Sequence, residues 1–368
     1  MSQGADVLII GGGPAGLAAA IAARMKGFDV TVADGAKPPI DKACGEGLMP
    51  STMAALRQLG VAICPGDGQV FRGIRFVDAA TSVEASFPGA SGVGVRRTVL
   101  HQKMVERAQN CGITLLWNTP VAGLSRDGVI LGSSVIKARW VIGADGIHSR
   151  VRRWIGLDAK ARQKIRFAQR RHYRVKAWTD CMEIHWGQKT QAYVTPLSND
   201  ETCVALISSD PRMRLEEAWR EFPKLANYLR HAEPSSTARG AVTVTRRLGQ
   251  VYRGNMALTG DASGSVDAIT GEGLCLSFRQ AIALADALAN GELENYQRAH
   301  RRLARRPNTV GRLLLLLDRY PSLRKRALRG LAEDPELFAR LLAAHLGKAS
   351  PKFLAATSLR LGWQFLTA

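Results

Sequence analysis

The sequence predicts an α/β chain: a parallel sheet with helices at the start, an antiparallel sheet as a second layer, and helices at the end. Three observations predict it. Residues 6–34, DVLIIGGGPAGLAAAIAARMKGFDVTVAD, run from an apolar strand through a glycine-rich turn into a small-residue helix and back to a strand. Residues 166–208 alternate apolar and polar side chains in successive short segments. Beyond about Tyr296 the pattern is helical throughout. The 368 residues suggest about two domains and suffice for a large core.

Val7–Ile10 is a branched apolar run, the composition of a strand buried on both faces. Gly11, Gly13 and Gly16 follow with G-x-G-x-x-G spacing around Pro14 and Ala15. The first glycine permits the tight turn, the second lets backbone approach a pyrophosphate, and the third lets helix and strand pack closely. Leu17 to Arg24 continues as a helix whose N-terminal N–H groups and dipole favour an anion. Asp34 lies 18 residues after Gly16, where an acid accepts hydrogen bonds from a ribose 2′-OH. Strand, turn, helix, strand and acid together predict a bound dinucleotide.

The remaining elements follow in order. A helix is expected around Ser51–Leu59, and FRGIRFV and TSVEASF within Val70–Phe87 read as a β-hairpin around DAA. Thr98–Gln109 reads as a helix, and Ile113–Trp117 and Val135–Ile142 as strands. YRVKAW, MEIHWG, QAYVTPL and TCVALIS predict an antiparallel sheet forming its own layer. Val242–Thr245 and Met256–Thr259 are expected strands, and Leu274–Ala289 a long small-residue helix. Two further turns carry chemistry. In VIGADGIHSRVRR, Asp145 caps a helix while Gly146 brings backbone close to a ligand. In ALTGDASGSVDAITGEG, Asp261 ends a strand, and Gly271-Glu272-Gly273 opens a helix whose N-terminus suits a ring that becomes anionic on reduction.

Six scattered cysteines without a C-x-x-C pair argue against a zinc site or a redox disulfide and fit reduced thiols in a cytoplasm. No metal site is expected. The N-terminus enters the first strand directly, without a leader pattern, and no apolar run reaches the ~18 residues of a membrane span. The expected localisation is cytoplasmic. The net charge of +20 is uneven: eleven basic residues lie between Arg298 and Arg329, against the single acid Asp318. They flank the leucine run Leu313–Leu317, which reads either as a solvated helical cap or as a helix lying on a membrane surface. No nucleic-acid motif accompanies the charge, and nucleic acid is not an expected partner. Nothing in the pattern sets an oligomeric state.

These three glycine-rich segments, in this order, resemble the FAD-binding fold of the para-hydroxybenzoate hydroxylase type, within the glutathione-reductase-like flavoproteins. The resemblance covers roughly residues 5–295. It implies a Rossmann-type FAD-binding domain, an antiparallel substrate domain and a C-terminal helical region. The boundaries expected are 1–69, 95–160 and 240–296 for the FAD domain, 70–94 and 161–239 for the substrate domain, and 297–368 for the helices. It also implies that the N-terminal glycines hold the pyrophosphate, Asp34 the adenosine ribose and Asp261 the ribityl–pyrophosphate region. Asp145 and Gly146 match a segment linked to FAD and nicotinamide contacts, and Arg97 in RRTVLH matches an arginine near the flavin. DKACGEGLMP (41–50) resembles the cysteine–glycine segment of geranylgeranyl reductases, with Cys44 expected beside the flavin, Lys42 and Gly45 among the cofactor-binding residues, and Glu46 with Lys42 expected to orient substrate from the same loop.

Two signatures are missing. Gln191–Pro196 stands where halogenases carry W-x-W-x-I-P and geranylgeranyl reductases Y-x-W-x-F-P. The loop after Asp261 also lacks the His and Pro of most aromatic hydroxylases. No second G-x-G-x-x-G sits between a strand and a helix, so NADPH or NADH is expected to meet the flavin directly, as a transient reductant. The function expected is an FAD-dependent monooxygenase acting on a hydrophobic aromatic or polyketide-like molecule; the alternative is a reductase of isoprenoid double bonds. Candidate catalytic residues are Cys44, Glu46 and Tyr193, each with a structural alternative: a buried small hydrophobe, a solvated loop acid and a packing residue. His185 is a weaker candidate on the substrate sheet, and His101 and His148 are assigned to local structure.

Overall fold

The computed structural model describes residues 5–79, 81–125, 128–158, 165–188 and 190–347. Its N-terminal sheet orders the strands Tyr252–Arg253, Met256–Leu258, Ala138–Gly143, Ala5–Ile10, Val30–Ala33 and Thr114–Leu116. The last five are parallel, and Tyr252–Arg253 adds an antiparallel edge. The period of two sends Val7 and Ile9 to one face, Leu8 and Ile10 to the other. On the first face lie the helices Pro14–Met25, Arg97–Asn110 and Gly273–Ala289. The first begins three residues before the expected Leu17, because Pro14 at the first helical position is preorganised for it. The other face is covered by a meander of Val121–Ser125, Gly128–Leu131 and Ser134–Ile136.

That meander corrects one expectation. Val135–Ile142 is not a single strand but two, breaking at Lys137: Ser134–Ile136 pairs in the meander and Ala138–Gly143 in the parallel sheet. A single run of strand-forming residues does not show that its halves belong to different sheets.

The second sheet orders Glu233–Pro234, Ile165–Arg174, Glu201–Ser208, Thr190–Pro196, Cys181–Trp186, Gly73–Val77 and Ser82–Ser86, with Arg239–Val244 also paired to Ile165–Arg174. The hairpin of Gly73–Val77 and Ser82–Ser86 forms as expected and joins by parallel pairing with Cys181–Trp186. YRVKAW is strand only as far as Arg174. The strand expected at Val242–Thr245 spans Arg239–Val244 and belongs to this sheet, not to the parallel one. Cys181–Trp186 and Thr190–Pro196 are buried along their whole length, since both faces are covered. Helices Leu215–Ala218 and Pro223–Leu229 pack on one face and the C-terminal helices on the other.

Those C-terminal helices are Leu293–Arg319, Pro321–Glu333 and Pro335–His345; residues 348–368 of the expected helical region lie outside the described residues. Leu314, Leu315 and Leu317 pack on the sheet cluster. Arg324 turns inward, bonding Asp78 Oδ2 at 3.1 Å and the Gly187 carbonyl at 3.2 Å. No helix among the described residues is long and apolar enough to cross a membrane.

Candidate functional site

A cavity of about 1040 Å³ lies at the C-terminal ends of the parallel strands, where ligands of open α/β sheets bind. One wall is largely backbone, built from Gly11, Gly13, Pro14, Ala15, Asp145, Gly146, Gly271 and Gly273. The opposite wall is sheet side chains, among them Met182, Tyr193, Ala205, Ile207, Val242 and Val244. The loop Lys42–Gly47 and Arg97 run between them.

The glycines of the first wall do different work. A Cβ on Gly16 would stand 1.8 Å from the Gly11 carbonyl oxygen, so Gly16 lets helix and turn touch and does not itself line the cavity. Gly11 adopts φ +112°, and a Cβ there would meet the Ala144 carbonyl at 2.5 Å. Gly13, Gly271 and Gly273 are the reverse case: a Cβ on any of them meets nothing within 4 Å. Asp34, half-buried, lines the cavity and accepts from the amides of Gly12 (2.6 Å) and Ala36 (2.7 Å). His101 braces this turn as expected. Its Nδ1 accepts from the Ile40 amide, so Nε2–H donates to the Gly12 carbonyl at 2.8 Å, and burial pushes its pKa down.

Asp145 caps the short helix Arg150–Trp154, its Oδ2 accepting from the amides of Arg150 (2.6 Å) and Val151 (3.1 Å). Its buried Oδ1 has no partner among the described residues. Asp261 sits in the turn Gly260–Ser263 and faces Lys42 Nζ at 3.5 Å, bridging the turn to the loop. Gly271 and Gly273 line the cavity, but Glu272 does not. Its carboxylate turns to His345 Nε2 (3.5 Å) and Arg306 (4.0 Å) on the C-terminal helices, because the helix start points that side chain away from the opening. His148 is exposed at the cavity rim.

Glu46 differs most from a solvated loop acid. It is 2% exposed with φ +58°, a conformation non-glycine residues adopt only when their surroundings enforce it. Its Oε1 accepts from the Arg97 amide at 2.9 Å and its Oε2 from His172 Nε2 at 2.6 Å. Arg170 Nη1 and the Ser236 hydroxyl both reach His172 Nδ1, which makes Nδ1 the acceptor and Nε2–H the donor. Arg170 Nε stands 3.8 Å from Glu46 and its Nη2 bonds Asp41. Cys203 joins Glu46 and His172 with ligand atoms within 4.8 Å. Burial pushes its thiol well up, and Arg170 stands alongside the trio. Cys44 is half-buried, lines the cavity, and its Sγ accepts from the Glu46 amide at 3.4 Å. Arg97 also lines the cavity, with its buried Nε unpartnered among the described residues.

Tyr193 is buried in the sheet wall, and its hydroxyl donates to Gln191 Oε1 at 3.3 Å. Gln191 Nε2 donates to Asp318 Oδ1 at 2.9 Å, while Arg166 bonds Gln191 Oε1 and Asp267 Oδ1. Burial pushes the Tyr193 phenol far above its ordinary value and lifts the Asp318 carboxyl. His185 lies away from the cavity, its Nε2 2.8 Å from Glu183 Oε2. Arg170 and His172 escaped the sequence reading. Their signal was the register: Arg166, Arg170 and His172 share the inward face of one strand, where polar side chains need buried partners.

Comparison with known proteins places this architecture. A family model described as an FAD binding domain matches residues 4–303. Menaquinone reductase of Mycobacterium tuberculosis is 27% identical over 321 residues, 80% of this chain and 78% of that protein. Digeranylgeranylglycerophospholipid reductase 1 of Methanothermobacter thermautotrophicus is 30% identical over 294 residues, 73% of each chain. The 3-demethoxyubiquinol 3-hydroxylase of Escherichia coli is 27% identical over 324 residues, 78% of this chain and 81% of that protein. A flavoprotein/dehydrogenase structure from Cytophaga hutchinsonii superposes with a TM-score of 0.80 at 21% identity, covering 93% of this chain and 92% of the other. The glycine-built wall at the strand ends and a family match spanning most of the sequence make this chain an FAD-dependent oxidoreductase of the FAD-binding-domain family.

Proposed function

We propose that this oxidoreductase saturates a carbon–carbon double bond in a hydrophobic, isoprenoid-bearing molecule, with NADPH or NADH as the transient reductant. The residues present fit FAD. Side chains at Gly13, Gly271 and Gly273 would occupy the cavity, and two buried polar atoms, Asp145 Oδ1 and Arg97 Nε, lack a partner among the described residues. In this reading Gly11, Gly13, Pro14, Ala15 and Gly16 form the pyrophosphate turn and Asp34 receives the ribose. Asp145, Asp261, Lys42, Gly45, Arg97, Gly271 and Gly273 surround the remainder, and Glu272 contributes its backbone. Bound FAD supplies two-electron chemistry. The chain's own tasks are to exclude water and to supply a proton.

Tyr193 carries the reading. It offers one O–H in a largely apolar stretch of wall, and burial keeps that proton on the oxygen. Its O–H donates to Gln191 Oε1 across 3.3 Å, so to protonate substrate the hydroxyl must rotate off that long contact. Glu46 is already filled by His172 and the Arg97 amide, so it positions the loop, and Cys44 shapes the pocket. The reductases among the curated relatives support the same chemistry. Hydroxylation of an aromatic or polyketide-like molecule with O2 is the second reading, favoured by the Escherichia coli hydroxylase among the relatives.

The test is anaerobic turnover of FAD-loaded protein with NAD(P)H and either prenylated quinones or geranylgeranyl lipids, followed by mass spectrometry. A product heavier by two hydrogens, formed without oxygen, is expected. Products made only with oxygen and carrying its label overturn the proposal. Tyr193→Phe should lower turnover about a hundredfold, the scale of losing a positioned proton donor, while FAD retention stays unchanged.

A further inference from the structure

We propose that the outward stripe of helix Leu293–Arg319, with the turn after it, docks the chain on a bilayer of anionic phospholipid. The leucine run divides between two faces. Leu314, Leu315 and Leu317 pack inward on the sheet, whereas Leu313 is 50% and Leu316 43% exposed, with Tyr320 at 45% beside them. A helical cap explains the inward three and leaves the outward three in water.

The charge on the same stripe is of one sign. Arg302, Arg305, Arg312 and Arg319 are exposed along it, and Lys325 and Arg326 continue the surface on the next helix. The single acid of this stretch, Asp318, turns inward to Gln191. Exposed cations beside exposed leucines need a partner that is anionic at its surface and apolar just beneath, which an anionic bilayer provides. A nucleic acid would pair the arginines but leave Leu313 and Leu316 hydrated. A second copy of the stripe would set arginines against arginines. The inner face of the same helical turn reaches the cavity wall through Asp318, Gln191 and Tyr193. Docking would thus bring the bilayer within about one helix diameter, ~10 Å, of that hydrogen-bonded chain; only this last step rests on the isoprenoid reading.

The experiment is co-sedimentation of the FAD-loaded full chain with vesicles of phosphatidylcholine alone or mixed with phosphatidylglycerol. Binding is expected only to the anionic vesicles. It should weaken about tenfold or more in Leu313→Asp with Leu316→Asp, and comparably in Arg312→Glu with Arg319→Glu, each with its flavin spectrum intact. Should the aspartate pair lose its flavin, Leu313→Ser with Leu316→Ser is read the same way. Absence of vesicle binding overturns the proposal. So does binding that survives loss of the leucines, or capture of duplex DNA or RNA in place of vesicles. Failure of the isoprenoid reading would leave vesicle binding unchanged, so the two outcomes are separable.

Discussion

The two walls of the cavity are made of different material. The parallel-sheet wall is backbone, exposed by glycines at the strand ends, and the antiparallel-sheet wall is side chains set by strand register. A backbone wall binds through N–H groups and close approach, requirements that every dinucleotide shares. A side-chain wall discriminates by shape and by a few polar atoms, here chiefly Tyr193 Oη and Gln169 together with the paired Arg170. On the proposed reading the first serves the cofactor and the second the substrate, and each can be broken separately.

The largest effect is expected at Gly16→Val. A Cβ 1.8 Å from the Gly11 carbonyl cannot be accommodated without parting the first helix from its turn. The cost should reach about 3 kcal/mol or more, the upper range for overpacking, and circular dichroism melting should show a large drop in Tm or no folded protein. A wild-type melt would mean the close packing of turn and helix is not needed.

Acid should loosen the same wall from behind. His300 is 8% exposed, with Nε2 2.9 Å from the hydroxyl of Ser263, which ends the turn carrying Asp261. Burial pushes its pKa down to about 4. The folded value lies below the ordinary 6.5, so the unfolded chain binds the extra proton between the two. The contribution is complete above about pH 6.5 and is lost as pH falls towards 4, amounting to roughly 3 kcal/mol. Chemical unfolding at a series of pH values should show this slope in wild type and a flatter one in His300→Gln. Equal slopes would remove His300 as its source.

Gly13→Val tests the cofactor half of the comparison without touching the fold. A side chain there enters open cavity, so stability should stay within about 1 kcal/mol, the usual range for a substitution that meets no neighbour. FAD affinity should fall about a hundredfold, about 2.7 kcal/mol, as read by flavin absorbance after dialysis. Intact retention would contradict the pyrophosphate assignment. The contrast with Gly16, three residues on, is between a glycine kept for the ligand and one kept for the packing.

How far each wall was legible follows from this difference in material. Gly11 to Gly16 and Asp34 fall within one local supersecondary unit, so spacing alone located the turn and its acid. The place of Tyr193 on the sheet wall was legible because QAYVTPL alternates visibly. Glu46 was singled out as a candidate, with a solvated loop acid as its alternative, but its burial against His172 was not legible, because that partner lies 126 positions away. That pairing exists only once Ile165–Arg174 takes its place beside Glu201–Ser208, and no local pattern encodes that register. The split of Val135–Ile142 between two sheets failed for the same reason.

The smallest effect is expected where the backbone wall meets the loop between the walls. Lys42 and Asp261 bridge the Lys42–Gly47 loop to the Gly260–Ser263 turn at 3.5 Å, with both side chains about two-fifths exposed. A pair so open to solvent is screened and contributes under about 0.5 kcal/mol. Lys42→Ala should therefore leave the melt unchanged, and a cycle with Asp261→Asn should show a coupling no larger than that. Coupling above about 1 kcal/mol would mean that loop and turn form one stability unit, joined by a contact whose exposure argues that they are two. Near-zero coupling would leave any effect of Lys42→Ala on flavin affinity to be read as direct contact with the cofactor, because the turn beneath Asp261 is held independently by Ser263, Gln280 and His300.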